Sequence, residues 1–302
     1  MFSAVFISLA VLIPQPQQAQ EIRIYSSSKP AAEQHILFRQ WGGGSIFESK
    51  KMGYEGNRSI GIGSKGYFQG GTMLFPEPLD WSSAVKDPEE VLRFTYYLAN
   101  PKVVVTKTAK NQVVQSTTHQ QYDFQKQVRS SIRPKVKQLR LILATTDGKR
   151  SEFYIPVEAS QPTAVSGWRT VGLPLQSIHG LGVTNKQISS ITFSTDNVAT
   201  VFVDDIRVVR DDVPLTGTAK PNPVSLHPGD EVTFSATADG GLTPIVFRWD
   251  FGENKGIEVD AEGSRIRHRF RKAGIYTVTL TVADRFGYKK PFVQEIPVTV
   301  SR

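Results

Sequence analysis

Side chains able to do chemistry occur along this chain, but few are spaced for it. The five histidines, His35, His119, His179, His227 and His268, show no metal-ligand spacing. No nucleophile elbow and no phosphate-cradling loop occurs. Cysteine is absent, which excludes disulfides, thiolate metal sites and a cysteine nucleophile together. Acidic residues are plentiful, so composition alone is compatible with a hydrolase that uses paired carboxylates. Aromatic side chains suit a different task, because a ring can stack on the apolar face of a pyranose. Trp41, Tyr54 and Tyr67 stand beside glycines or charges in predicted loops, which makes them the candidate ligand-binding residues. In Phe202-Val203-Asp204-Asp205-Ile206, strand alternation sets Phe202, Asp204 and Ile206 on one face and Val203 and Asp205 on the other. One carboxylate must then lie near a core or at its rim.

The elements that would carry these residues are strands. Hydrophobic residues make up 39% of the 302 and charged residues 21%, which fits folded domains rather than disorder or a membrane bundle. Valine, threonine, phenylalanine and tyrosine recur in short alternating runs, and almost no stretch repeats apolar residues with a helical period. The expected fold class is therefore all-β. The apolar run Phe2–Ile13 is too short to span a bilayer and reads as part of a signal peptide over 1–20, although no Lys or Arg precedes it. A first domain is expected over 21–212 and a second over 223–302. Between them, 213–222 contains Pro214, Gly217 and Pro221 and reads as an extended, semi-stiff linker.

The second domain alternates cleanly. Val232, Phe234 and Ala236 share a face, as do Phe247, Trp249 and Phe251, and as do Tyr276, Val278, Leu280 and Val282. The stretch Val224–Phe234, then Trp249-Asp250-Phe251-Gly252-Glu253-Asn254, His268-Arg269-Phe270, Ala273–Leu280 and Asp284-Arg285-Phe286-Gly287 resembles a PKD domain, in order and at its spacing. Glu253 and Asn254 depart from that family's Asp-Gly, and Phe270 replaces its Tyr. The resemblance implies an immunoglobulin-like β-sandwich acting as a spacer or adhesion module, without catalysis. Trp249, Phe251 and His268 read as core residues.

The first domain carries Gly56–Ile62, Leu79-Asp80-Trp81-Ser82, Gly167–Leu175 and the closing strand Thr200–Val208. That order resembles the galactose-binding-like jelly roll of many carbohydrate-binding modules. Trp81 and Trp168 lie in stretches that are structural in that family. The resemblance implies a structural Ca²⁺ held by Asp205 with Glu48; as residues alone, these acids read equally as a surface pair. Residues 101–137 have no counterpart in the pattern and look like a basic, Gln-rich inserted hairpin or loop.

The formal net charge is +8. Its basic residues gather at Lys107, Lys110, Lys126, Arg129, Arg133, Lys135 and Lys137, and again at Arg265, Arg267, Arg269, Arg271 and Lys272. Such patches attract acidic polymers, or are simply solvated basic faces. No nucleic-acid motif accompanies them. The expectation is a secreted, periplasmic or cell-surface protein that is not an enzyme. It would bind a polysaccharide or cell-surface glycan and carry no transmembrane span. The alternative is a structural subunit of an envelope or extracellular assembly, with a protein partner.

Overall fold

The computed structural model describes residues 21–99, 103–107, 113–117, 135–254, 256 and 258–302. The expected signal peptide and most of the basic insert lie outside the described residues. Strands dominate, as the alternation requires, and the helical pieces are single 3-10 turns. Among the described residues no helix is long and apolar enough to cross a membrane.

The first unit opens with β1 (Ile22–Tyr25), β2 (Leu37–Trp41), β3 (Ser45–Ser49), β4 (Ser59–Ser64) and β5 (Gly70–Asp80). It continues with β6 (Glu90–Ala99), β7 (Val103–Lys107), β8 (Val113–Thr117), β9 (Gln138–Thr145) and β10 (Arg150–Pro156). It closes with β11 (Gln161–Pro162), β12 (Trp168–Pro174), β13 (Gln187–Thr195) and β14 (Ala199–Arg210). One sheet of seven strands runs β11-β12-β6-β14-β4-β3, with β1 also on β14. A second sheet of five runs β10-β9-β13-β5-β2. Their inner faces meet in one core, where Phe94 of β6 touches Phe193 of β13 with ring centroids 5.2 Å apart. Among the described residues, strands β7 and β8 of the insert pair antiparallel and only with each other.

The second unit has β15 (Thr216–Lys220), β16 (Val224–Leu226), β17 (Glu231–Asp239) and β18 (Ile245–Asp250). It ends with β19 (Ala261–Glu262), β20 (Arg265–Arg269), β21 (Gly274–Asp284) and β22 (Phe292–Val300). Sheets β15-β17-β20 and β16-β22-β21-β18-β19 enclose a separate core around Phe234, Trp249, Phe270 and Leu280.

The connection between the units is shorter and tighter than its sequence implies. Within the stretch read as a linker over 213–222, Leu215 packs into the second core and Thr216–Lys220 is a paired strand. Small residues disguised that strand: a side chain at Gly217 would press within 3.0 Å of the Phe292 ring. The junction itself is clamped. The Lys289 ammonium lies 2.9 Å from the Asp211 carboxylate and donates to the carbonyls of Val213 and Gly240, at 2.7 Å each. Leu242 N–H donates to Asp211, Gly172 N–H to the Leu242 carbonyl, and Phe153 meets Phe286 at 5.5 Å.

Candidate functional site

On the five-stranded sheet, Leu139, Leu141 and Leu143 turn into the core, so Arg140, Ile142 and Ala144 take its outer face. Hydrogen-bonding register then aligns Trp41, Gly70, Ser194, Arg140 and Tyr154 in one row across all five strands. Beside it runs the row Arg39, Thr72, Thr192, Ile142 and Glu152. Small residues occupy β5 and β13, while Trp41, Arg39, Glu152 and Tyr154 stand on the edge strands as taller margins.

Arg140 is the hub of the first row. Its guanidinium carbon lies 5.3 Å from the Trp41 ring centroid, 4.8 Å from that of Phe68 and 5.9 Å from that of Tyr154. Nε and Nη2 donate to Glu152 at 3.1 and 2.6 Å, and Nη1 donates to the Tyr67 carbonyl at 2.8 Å. The Arg140 hydrogen bonds hold the Glu152 carboxyl below the usual glutamate range, against the opposing effect of burial. Tyr67 meets Tyr154 edge to face at 5.5 Å, and its hydroxyl donates to Gln138 at 2.6 Å. Arg140 itself is 5% exposed, whereas Phe68 is 69% and Tyr154 44% exposed. The cation is therefore sequestered and internally neutralised, and what meets solvent is an aromatic frame. Such a surface suits an uncharged ring with an apolar face.

Trp41 and Tyr67 thus come together, but Trp41 closes strand β2 instead of lying in a loop. Phe68 and Tyr154 escaped the sequence reading. Period-two counting from buried Ile155 through half-buried Phe153 would have turned Glu152 and Tyr154 outward. Tyr54 lies elsewhere, on the outer face of the seven-stranded sheet, with its ring 6.0 Å from Trp168. There Phe47, Gly61, Phe202, Tyr97 and Trp168 form another cross-sheet row. Trp168 is buried beneath that face, outside the core between the sheets, whereas Trp81 is in that core.

The acids also part company. A bulge shifts the register of β14 between Asp204 and Arg207, with Asp205 at φ 49°. This corrects the alternation expected there: Val203 and Ile206 both enter the core, while Phe202 turns outward. Asp205 pairs with Arg93 at 3.1 Å and Arg207 at 2.9 Å. Glu48 accepts the Ala31 N–H at 2.8 Å and lies 3.7 Å from Arg58. Fully buried Asp204 accepts from the backbone N–H groups of Tyr54 and Asp205, at 2.7 Å each. Burial pushes its carboxyl above the usual aspartate range. Calcium needs six to eight oxygens, and Asp205 is already compensated by two guanidiniums that repel a cation. The Glu48–Asp205 pair does not fit Ca²⁺. Among the described residues no group of three or more His, Cys, Asp or Glu side chains could hold a metal.

In the second unit, Trp249 is fully buried and its indole N–H donates to the Gly263 carbonyl at 2.8 Å. His268 stacks on Phe251 with centroids 3.7 Å apart, and burial lowers its pKa despite Glu253 nearby. Asp284 closes a turn by accepting the N–H groups of Phe286 and Tyr288. Residues 216–290 match the family described as PKD domain. The second unit is a PKD domain. The three departures from the family signature are accommodated within this PKD domain, Phe270 by full burial in its core. Glu253 meets His268 at 3.3 Å, and Asn254 donates to Glu258 at 3.2 Å.

No curated protein matches the chain. Among solved structures it is similar to a β-1,2-glucanase from Parabacteroides distasonis, at 10% identity and a TM-score of 0.33. That likeness covers 89% of this chain but only 37% of the glucanase. It is also similar to the PKD domain of the human VPS10 domain-containing receptor SorCS2. There the identity is 23% and the TM-score 0.23, over 29% of this chain and 72% of that one. Fibronectin(III)-like modules of Clostridium thermocellum CbhA match at 9% identity and a TM-score of 0.25, over 58% of this chain and 82% of theirs.

Proposed function

We propose that this chain is an exported, non-catalytic glycan-binding protein. Its first unit, a galactose-binding-like jelly roll, presents the outer face of the five-stranded sheet to sugar. The PKD domain serves as spacer or adhesion module. The observation that carries this reading is the aromatic frame of Trp41, Phe68 and Tyr154 around a neutralised Arg140. Ring faces supply stacking, and the Arg140–Glu152 pair neutralises itself, so the cation at the centre of the frame demands no ionic ligand; exposed Arg39 stands at the margin. The ligand is therefore an uncharged polysaccharide or the neutral part of a cell-surface glycan.

The lack of a reaction centre in this reading rests on how the acids are used. A depression of about 590 Å³ is lined by Glu21, Asp80, Asp87 and Glu90. Glu21 is paired with Arg207 and Asp87 with Arg210, while Asp80 accepts the Ser82 N–H. Glu90 is not so engaged, and burial pushes its carboxyl above the usual glutamate range. With the other three acids held by arginines or a backbone N–H, no second carboxylate is placed to complete the acid–base pair of a hydrolase.

A glycan array followed by affinity electrophoresis tests the proposal. Trp41→Ala and Tyr154→Ala should each weaken binding to the neutral glycan at least about tenfold, as loss of a stacking ring does. Ile275→Ala, at a site 86% exposed on the PKD domain, should leave it unchanged. Wild-type affinity in the Trp41 variant would move the sugar site elsewhere. A structural or protein-interaction subunit of an envelope assembly is the second reading, favoured by the clamped junction at Asp211 and Lys289. Absence of any glycan ligand together with a protein partner in pull-down selects it.

A further inference from the structure

A second surface, on the PKD domain, differs in chemistry from the aromatic frame. Strands β15, β17 and β20 bury Ala219, Val232, Phe234 and Ala236, so their alternate residues form an outer face. The charged members of that face are Lys220, Arg265, Arg267 and Arg269, against Glu231 and Asp239. The register joins Lys220, Ser235 and Arg265 in one row. Arg271 and Lys272 follow in the next turn, both exposed. The other positions of the face are threonine or serine.

We propose that this face binds a linear anionic polysaccharide. Three arginines alternate along β20, so their Cα positions recur at roughly 6.8 Å along the strand, two residues of extended chain. That is a regular ladder of cations for a polymer of regularly repeated carboxylates or sulfates. The guanidiniums are available: Arg267 and Arg269 have side chains 71% and 57% exposed, and both lie 3.6 Å or more from Glu231. Exposed pairs of that length hold their partners weakly. Hydroxyls beside the guanidiniums match the hydroxyls of a sugar chain. The face offers no aromatic ring on which nucleic-acid bases would stack, and no apolar side chain to enter a bilayer. Charge on an edge strand also guards against pairing with other chains. That role needs charge of either sign, whereas polyanion binding needs positive charge.

Affinity electrophoresis of the full chain through gels containing polygalacturonate tests the proposal. Wild type should be retarded, increasingly so at low salt. Arg265→Glu, Arg267→Glu and Arg269→Glu combined should weaken retention at least tenfold with an unchanged melting midpoint. Should that variant fold poorly, Arg267→Gln with Arg269→Gln should weaken retention in the same direction. Lys126→Glu, Arg129→Glu and Arg133→Glu combined, in the insert, should leave most of it. Neutral glycan binding should survive the β20 changes, and polygalacturonate binding should survive Trp41→Ala, so the two surfaces fail separately. The proposal is overturned by wild type that is not retarded, or by retention unchanged in the β20 variants. Loss of retention through the insert changes alone would equally overturn it. So would equally tight binding of oligo-deoxythymidine or phosphatidylglycerol vesicles at the same salt.

Discussion

Arg140 would be an ordinary solvated cation on a flat sheet. Here it spends its donors on Glu152 and the Tyr67 carbonyl and is roofed by rings, so its contribution is positional as well as electrostatic. Arg140→Met keeps the volume and removes the donors. With Glu152 41% exposed, solvent screens much of the ion pair, and the expected loss at neutral pH is about 1–2 kcal/mol. The sign with pH follows from the direction of the Glu152 shift. A carboxyl lowered in the folded state stabilises fully above its unfolded value, and that stabilisation fades as pH falls through the folded one. Urea titrations should therefore find the gap between wild type and Arg140→Met widest at neutral pH and closing in strong acid. A gap independent of pH would mean that packing alone is lost.

Strands impose their own constraints through close approach. A Cβ on Gly61 would meet the Phe47 ring at 2.4 Å, and one on Gly70 would meet the Phe193 carbonyl oxygen at 2.0 Å. The two clashes are not alike. Phe47 is 38% exposed at the edge of its sheet and can swing outward. The Phe193 carbonyl belongs to the paired backbone of β13 and cannot move without opening the ladder to β5. Gly61→Ala should cost about 1 kcal/mol and Gly70→Ala about 3 kcal/mol or more, measured by equilibrium unfolding. Equal costs would contradict the difference in compliance. The Gly70 change should also weaken neutral glycan binding, since Trp41 pairs with Gly70 in the row that builds the aromatic frame.

Across the whole molecule, the junction turns two sandwiches into a coupled pair. The Asp211 side chain is 1% exposed and that of Lys289 12%, so removing the ammonium strands a buried carboxylate. Lys289→Met should destabilise the chain by about 3–5 kcal/mol. Calorimetry should then resolve two transitions where wild type gives one. Retention of a single transition at an unchanged midpoint would mean that the clamp contributes little to coupling. Replacing Asp211 by Leu in the same chain should recover part of the loss, because no unpaired charge then remains.

The all-β class and the PKD domain were legible in the sequence alone, with Trp249 and Phe251 in the domain's core and His268 turned inward. Those features are written in local alternation and in motifs a few residues apart. Alternation also tells which residues share a face, while neighbouring glycines and charges marked Trp41, Tyr54 and Tyr67 as aromatic candidates. It cannot tell which strands lie side by side. Tertiary pairing brought Trp41 to Arg140 and Tyr154, about a hundred residues away, and sent Tyr54 to the opposite sheet. One bulge, invisible in the alternation of Phe202–Ile206, and Arg93 from the neighbouring strand, with Arg207 two residues on, decided the surroundings of Asp205. A stretch rich in proline and glycine became a strand because β17 pairs with it, and a clamp stands just before it because Lys289, far along the chain, folds back onto Asp211. Register and sheet order arise from non-local hydrogen bonds and packing, and no short-range pattern encodes them.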